Sequence, residues 1–549
     1  MSSFTAPAAR ATETGLGVGI PGYWAGFEAS LAKHGSKTKK DLCAAATAYA
    51  RDGFEVHPFM WGEIYQQMNL FGKSAESREI FFPNNRMVHP GELLIQKKAA
   101  DTLELPDLSG VVGEADNPKL TFAPPAWALP FHPLALKVTS SDPQVIRHAD
   151  ITAAPVGTNL VSLTLVPSGV GYARIKLTLL DLADGLHVFR YTFHYAASTM
   201  GRPGGRWHAR ASDASAAVAI GTGLMLVGDD EDQVLRLYRR GESGPPLQGF
   251  DITPFLGLTD LHHNGRPKEV DIEAVTQVGR RLFWLGSQSH DREGLPAANR
   301  SRVFATDLEG SGDQVHPRFV GRYDFLLQDL IAWDAGNGHG MGSNYFGLSA
   351  STTPGLSSKD PGGQGYVIEG LCRIPGSSEG AWLGFRAPLV PPSRRWSALV
   401  VPVTNFFSLA VSGSGAGATR FGVPMLLDLG GRGIRDMVAG DRGVLILAGP
   451  PGHDAPNLPH DSSLFTWDGN LSHPPQRREA SLGGLRPEAI VEIPPEPWGP
   501  ETVVELLSDN GTTEFYGDGV PAKSLHNPAF KKFRSDPVKL GGVLENVTP

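Results

Sequence analysis

At 549 residues, with 41% hydrophobic and 19% charged side chains, the chain has the composition of a folded protein of roughly two to four domains, which argues against long disordered tracts. A formal charge of −8 is modest for this length, and no concentrated basic face stands out, so nucleic acid is not an expected partner. The two cysteines, Cys43 and Cys372, lie far apart and form neither a disulfide framework nor a metal knot; both read as buried thiols.

Residues 1–112 are expected to be mostly helical. Residues 1–10 lack the apolar core of a secretory signal. Leu42, Ala45, Ala46 and Tyr49 follow helical spacing, with Gly53 as a stop. Met60, Ile64 and Met68 form a second stripe beside Trp61 and Tyr65, and a third helix is expected over residues 92–103, before Pro106. These stripes read as core. No catalytic constellation is seen among them, and no family resemblance.

Residues 115–200 switch to a period of two. Ala173, Ile175, Leu177 and Leu179 alternate with Tyr172, Arg174, Lys176 and Thr178; Phe189, Tyr191, Phe193 and Tyr195 alternate with Val188, Arg190, Thr192 and His194. Strands of this length, separated by turns such as Ala183-Asp184-Gly185, predict a small β-sandwich. Ser140-Ser141-Asp142-Pro143, then 163–170, then Asp181, is similar to bacterial immunoglobulin-like or cadherin-like repeats. That resemblance implies a spacer or adhesive module, of a kind that usually sits outside the cell.

Residues 205–535 carry an imperfect repeat: a small or acidic pair, then an apolar strand, then glycine. Its copies begin at Ser215, Glu273, Glu369, Arg435 and Glu488. A strand-rich unit repeating at about 40–50 residues plus loops predicts a β-propeller. The longest interval, Glu273 to Glu369, is read as one blade with an insertion or as two blades, giving five or six blades, with six favoured. The insertion is expected over residues 323–354, with a helix near Phe325 to Leu330 and a flexible glycine-rich loop after it. Residues 536–549 are expected to form a tail. The apolar stretch 398–411 is broken by Pro402, Thr404 and Asn405 and is too short to span a bilayer.

Val227 to Asp232 followed by Val234 to Tyr238, Asp271-Ile272-Glu273-Ala274, Trp284-Leu285-Gly286-Ser287, Ile368 to Leu371 and Arg420-Phe421-Gly422 through Leu426 to Arg435 resemble the bacterial domain of unknown function 3616. The resemblance implies a propeller-like fold and no established activity. The Glu-Gly/Ala element is more distantly similar to one in the esterase-like phytase propellers.

Glu273, Glu369 and Glu488 occupy equivalent places and are expected to converge as the ring closes. Carboxylates so close repel unless a cation or an arginine neutralises them. Together with Asp230, from the turn Asp229-Asp230-Glu231-Asp232, they are the candidate metal ligands, for Ca2+ or another divalent cation. Arg435 and Arg386 are the candidate neutralising or ligand-binding cations. His290, in His290-Asp291-Arg292 with Asn299-Arg300 shortly after, is a candidate anion-binding group. The bland alternatives are strand capping, local ion pairs and a solvated acidic turn. No catalytic residue is assigned, since no nucleophile elbow, His-Glu-x-x-His helix or paired-cysteine motif is present.

Two functions remain. The first expectation is an interaction protein that presents a propeller face to a protein partner, and not an enzyme; the alternative is a metal-dependent hydrolase of phosphoesters or related esters. The cytoplasm is the default location, with the sandwich as the argument for an extracellular one.

Overall fold

The computed structural model describes residues 46–47, 49–50, 53–71, 75–96, 107–114, 120–122, 134–156, 160–181, 187–199, 204–360, 362–452 and 458–544. Within them strands predominate and pair into separate antiparallel sheets. The chain divides into two units, one of residues 1–107, 119–164 and 173–195, the other of 108–118, 165–172 and 196–549.

In the first unit, helix α1 (Pro58–Gln66) places its proline in the first turn, where a missing N–H leaves no hydrogen bond unmade, and His57 Nδ1 accepts from Phe59 N at 3.2 Å. Ile64 on α1 packs with Val56, Val88 and Leu94 in a small core. Helices α2 (Met68–Phe71) and α3 (Ala75–Phe81) follow. The helix expected over 92–103 is not formed at its start. Leu93–Leu94 is a strand paired with Phe54–Glu55, with Leu94 fully buried in that core and Leu93 pointing outward. Residues 97–106, like Cys43, lie outside the described residues.

The sandwich region holds a three-stranded sheet of Leu120–Phe122, Leu160–Leu165 and Ile151–Val156, and a second sheet that includes Leu134–Ser140, Gly171–Asp181 and His187–Ser198 in that order. The alternation read along the chain is present over most of its length: Ala173, Ile175, Leu177, Phe193 and Tyr195 are buried, while Tyr172 and Arg174 are exposed, but Thr178, expected on the open face, is buried as well. The turn at 183–185 lies outside the described residues.

Among its described residues the second unit contains five four-stranded antiparallel sheets. Their innermost strands are β1 (Ala214–Ile220), β2 (Ile272–Val278), β3 (Val367–Arg373), β4 (Gly433–Ala439) and β5 (Pro487–Ile490). Four sheets run consecutively outward from β1 to β4. The fifth is assembled from both ends of the region, in the order Arg206–Ala209, Lys532–Lys539, Val503–Ser508, β5. The C-terminal strand thus runs past the boundary expected at 535. Neighbouring innermost strands pack side by side: β1 with β2, β2 with β3, β3 with β4, β4 with β5 and β5 with β1.

The interval from Glu273 to Glu369 holds one sheet, not two. Its remainder is the insertion, helices α4 (Leu326–Ala335) and α5 (Leu348–Ser351). The glycine-rich loop between them, expected to be flexible, is tied down by the fully buried Asp334. That carboxylate accepts Phe346 N at 3.1 Å and Leu348 N at 2.9 Å and meets His339 Nε2 at 3.1 Å.

Close packing needs glycine at defined points. An ideal Cβ on Gly433 would lie 2.0 Å from the Arg386 carbonyl oxygen, and one on Gly228 would lie 2.9 Å from Ile272 Cγ2. Cys372 is buried, and burial pushes its thiol pKa upward. Among the described residues no helix is long and apolar enough to cross a membrane.

Candidate functional site

The five repeat residues share one structural cause. In every innermost strand the pairing register skips a single residue, and the skipped residues are Ser215, Glu273, Glu369, Arg435 and Glu488. A bulge re-aims its extra residue out of the alternation that would lay it on a sheet face. Arg386 is likewise skipped, on the strand beside β3.

Arg435 Nη1 lies 2.8 and 2.6 Å from the two carboxylate oxygens of Glu488 and 3.3 Å from Glu369 Oε2. Arg386 pairs with Glu369 Oε1 and donates to the Ser358 carbonyl. Glu369, only 1% exposed, is therefore held between two guanidinium groups. Burial pushes the Glu488 carboxyl up; Arg435 opposes this and Glu369 adds to it. Burial also disfavours the Arg435 charge, but Glu488, Glu369 and Glu273 outweigh it and raise its pKa. Of the metal ligands expected from the repeat, Glu369 and Glu488 are thus neutralised by the two arginines, which are occupied in turn.

Glu273 differs. Its residue is 9% exposed, and its carboxylate makes no hydrogen bond or ion pair among the described residues. Burial, then the nearby Glu369 and Asp271, push its pKa well above the usual carboxylate range, with Arg386 opposing.

The acidic turn sorts itself by partner. Asp229 accepts the backbone N–H groups of Ser212, Asp213 and Glu231. Asp232 pairs with Arg236, and Glu231 meets Lys523 Nζ at 3.1 Å. Asp230 Oδ1 is enclosed and has no hydrogen-bond partner. Burial, then Asp213, Asp229, Asp271 and Glu273, raise its pKa. One oxygen from each of Asp230, Asp271 and Glu273 lies within 4.8 Å of the other two, and Asp213, Asp230 and Glu231 form a second such group.

Asp271 adopts φ 60°, in the left-handed region that Asp tolerates better than most residues, and Arg300 Nη1 meets its Oδ2 at 2.9 Å. Arg300 is fixed in turn by Glu269 at 2.7 Å, Ser289 Oγ at 2.8 Å and the His290 carbonyl at 3.0 Å. Asp213 carries a carboxyl raised to about 8, by burial first and then by Asp229 and Asp509. Asp213 and Asp271 had not been singled out as site residues from the sequence, and Arg300 had been noted only as a neighbour of His290 in the candidate anion site. The available signal was position: Asp213 and Asp271 each stand two residues before a repeat residue, Ser215 and Glu273.

The anion site expected around His290 is not assembled. His290 is buried with an unpartnered Nδ1, and Arg292 is exposed and pairs with Glu293. Asn299, fully buried, accepts from Thr259 N and Asp260 N and donates to the Asp260 and Lys268 carbonyls, which staples the 259–268 loop. The three side chains serve three separate local structures.

Comparison with known proteins adds two family matches. Residues 351–495 match the family described as Protein of unknown function (DUF3616), in agreement with the resemblance read from the repeat region. Residues 3–111 match the family described as Gamma-glutamyltranspeptidase, where no family had been recognised. Over 105 residues the chain is 35% identical to a glutathione hydrolase proenzyme of Pseudomonas sp. (strain A14), covering 19% of this chain and 18% of that protein. It is 29% identical over 99 residues to the glutathione hydrolase proenzyme of Bacillus subtilis (strain 168), covering 18% and 17%. The chain thus spans less than a fifth of the length of these curated relatives. Among solved structures, a cysteine protease inhibitor from Entamoeba histolytica is similar at 13% identity and TM-score 0.12, over 16% of this chain and 95% of the inhibitor. The extracellular domain of a putative hybrid two component system from B. thetaiotaomicron is similar at 10% identity and TM-score 0.20, over 54% and 31%.

Proposed function

We propose that residues 205–540 form a five-bladed β-propeller that serves as a binding module for a protein partner, with the preceding sandwich as an immunoglobulin-like spacer. Support for the ring comes from the cyclic order in which the innermost strands neighbour one another, β5 returning to β1. The pairing of Arg206–Ala209 with Lys532–Lys539 supports it too, since it joins both ends of the region in one sheet. A ring made this way leaves few open sheet edges and offers broad loop surfaces at its two ends.

The observation that carries binding over hydrolysis is the neutralisation of the central glutamates. With Arg386 and Arg435 lodged against Glu369 and Glu488, these carboxylates cannot also hold an ion that activates water. The hydrolase reading keeps one favourable observation, the group Asp230, Asp271 and Glu273. The N-terminal likeness to glutathione hydrolases covers too small a part of those proteins to bring their activity to this chain.

The test uses the full chain. Supplied in turn with Ca2+, Mg2+, Mn2+ and Zn2+, it is assayed against chromogenic phosphomonoesters, phosphodiesters and carboxylic esters. The binding reading expects no turnover above the metal-only blank, together with saturable retention of a defined protein when the immobilised chain is exposed to extract of its own host. Metal-dependent turnover that disappears in Glu273→Gln refutes it.

A further inference from the structure

Most buried acids of the second unit have a donor. Asp229 has three backbone N–H groups, Asp436 has Met437 N and Ile490 N, Glu369 has two arginines and Asp334 has two N–H groups and an imidazole. Two acids depart from this pattern and stand together. Asp230 has an enclosed Oδ1 with no partner. Glu273, nine-tenths buried, has no hydrogen bond or ion pair among the described residues. Both recorded contacts of the adjacent Asp271 fall on Oδ2.

Unpartnered carboxylates shielded from water are disfavoured: a buried charge is paired, coordinates a metal or is neutralised by a proton. The cations that act on the cluster, Lys523, Arg300, Arg386 and Arg435, are committed to Glu231, to Glu269 and Asp271, to Glu369, and to Glu488 and Glu369 respectively. We propose that Asp230, Asp271 and Glu273 bind a divalent cation, Ca2+, which fastens the first four-stranded sheet to the second.

The donor set is all oxygen, which selects a hard cation over zinc or copper. The ligand oxygens lie within 4.8 Å of one another, about twice a Ca–O distance of roughly 2.4 Å, so one Ca2+ can touch all three. The ligands come from two sheets. Asp230 follows the strand Leu224–Asp229 of the first sheet, and Asp271 and Glu273 flank the first residue of β2 in the second. Such scattered carboxylates suit the irregular six- to eight-fold coordination of Ca2+, completed by water, better than the tight octahedron of Mg2+.

Packing supports the approach: Gly228 leaves room for Ile272, the residue between the two second-sheet ligands. The neighbouring group around Asp213 is already supplied, because Ser212 Oγ donates to Asp213 at 2.6 Å and Lys523 meets Glu231. That places the ion on the Glu273 side of Asp230.

The proposal does not rest on the binding-module reading, and either can fail alone: a failed titration leaves turnover and partner retention unaffected. The full chain, stripped with chelator and exchanged into chelator-free buffer, is titrated with Ca2+ by calorimetry and melted at increasing Ca2+. One Ca2+ per chain is expected, with a melting temperature that climbs with the logarithm of free Ca2+ above the dissociation constant. Glu273→Gln and Asp230→Asn should each weaken Ca2+ binding at least tenfold. Without the ion, each should melt no lower than the wild type, because one of several mutually repelling carboxylates is gone. Asp313→Asn, at a surface pair with Arg239, should bind Ca2+ as the wild type does. Absence of heat and of a melting shift up to about 10 mM Ca2+, beyond the weakest extracellular calcium modules, overturns the proposal. So does Ca2+ affinity that survives both ligand variants, or tighter binding of Mg2+ than of Ca2+. Should Glu273→Gln fail to fold, the wild-type titration and Asp230→Asn still decide.

Discussion

Arg435→Met tests the charge network most directly, since methionine keeps much of the apolar stem and removes the guanidinium. In the wild type that group touches both oxygens of Glu488 and one of Glu369, whose side chains are 15% and 1% exposed. Breaking a buried pair by removing one partner costs about 3–5 kcal/mol. Glu369 keeps Arg386, so Glu488 is the orphan. Urea denaturation at pH 7 should therefore show a loss of about 3 kcal/mol.

The sign of its pH dependence follows. Burial already lifts the folded pKa of Glu488 above its unfolded value beside Arg435, and removing that opposing charge lifts it further. Stability therefore falls with rising pH in both proteins, and the deficit of Arg435→Met widens as pH rises past the wild-type Glu488 pKa. Adding Glu488→Gln to Arg435→Met should recover at least half of the loss at pH 7. A deficit under about 1 kcal/mol at pH 7 would refute the account of a buried pair.

Three more outcomes are expected. Asp436, 5% exposed, has its carboxyl pushed up to about 7 by burial, against hydrogen bonds from Ile490 N and Met437 N; with its folded pKa above the reference value of 3.8, its stabilisation is present at about pH 4 and is lost as pH rises to 7. Melts at constant ionic strength should show that Asp436→Asn flattens this slope. Asp334→Ala leaves the Phe346 and Leu348 N–H groups without an acceptor, at about 1–3 kcal/mol each, and hydrogen exchange should show lost protection across residues 342–348 with the five sheets unchanged. Gly433→Ala brings a Cβ against the Arg386 carbonyl, so it should cost about 1–3 kcal/mol by urea denaturation, whereas Gly499→Ala, with nothing within 4 Å, should stay within about 0.5 kcal/mol.

Much of the second unit was legible because its repeat has a mechanical basis. Ser215, Glu273, Glu369, Arg435 and Glu488 stand out along the chain because each fills the same bulge, a position where the alternation of a strand is suspended. The alternation around Ala173, Ile175 and Leu177 was equally readable, because one face is buried and the other is not. Partner choice was not readable. Whether a glutamate meets an arginine or another acid depends on which strands lie side by side, and Asp230 and Glu273 meet only through the packing of two different sheets. Of the five or six units expected, five sheets are present among the described residues, and residues 323–354, read as an insertion, hold helices α4 and α5 without adding a sheet. At residues 92–103 a leucine pair was read as a helical stripe, although pairing with Phe54–Glu55 makes it a strand. The N-terminal likeness to glutathione hydrolases lies in residue identities along an alignment, which periodicity does not carry.

The pairing of Arg206–Ala209 with Lys532–Lys539 also has a consequence for biosynthesis. The first of these strands leaves the ribosome about 320 residues ahead of its partner, a delay of roughly 15–60 s at ordinary elongation rates. For that time its backbone donors and acceptors face the cytosol as an unpaired template, beside aromatic groups such as Trp207 that are buried in the finished molecule. A product lacking residues 532–539 would leave the strand Arg206–Ala209 without this neighbour, an open edge in the sheet that joins both ends of the region.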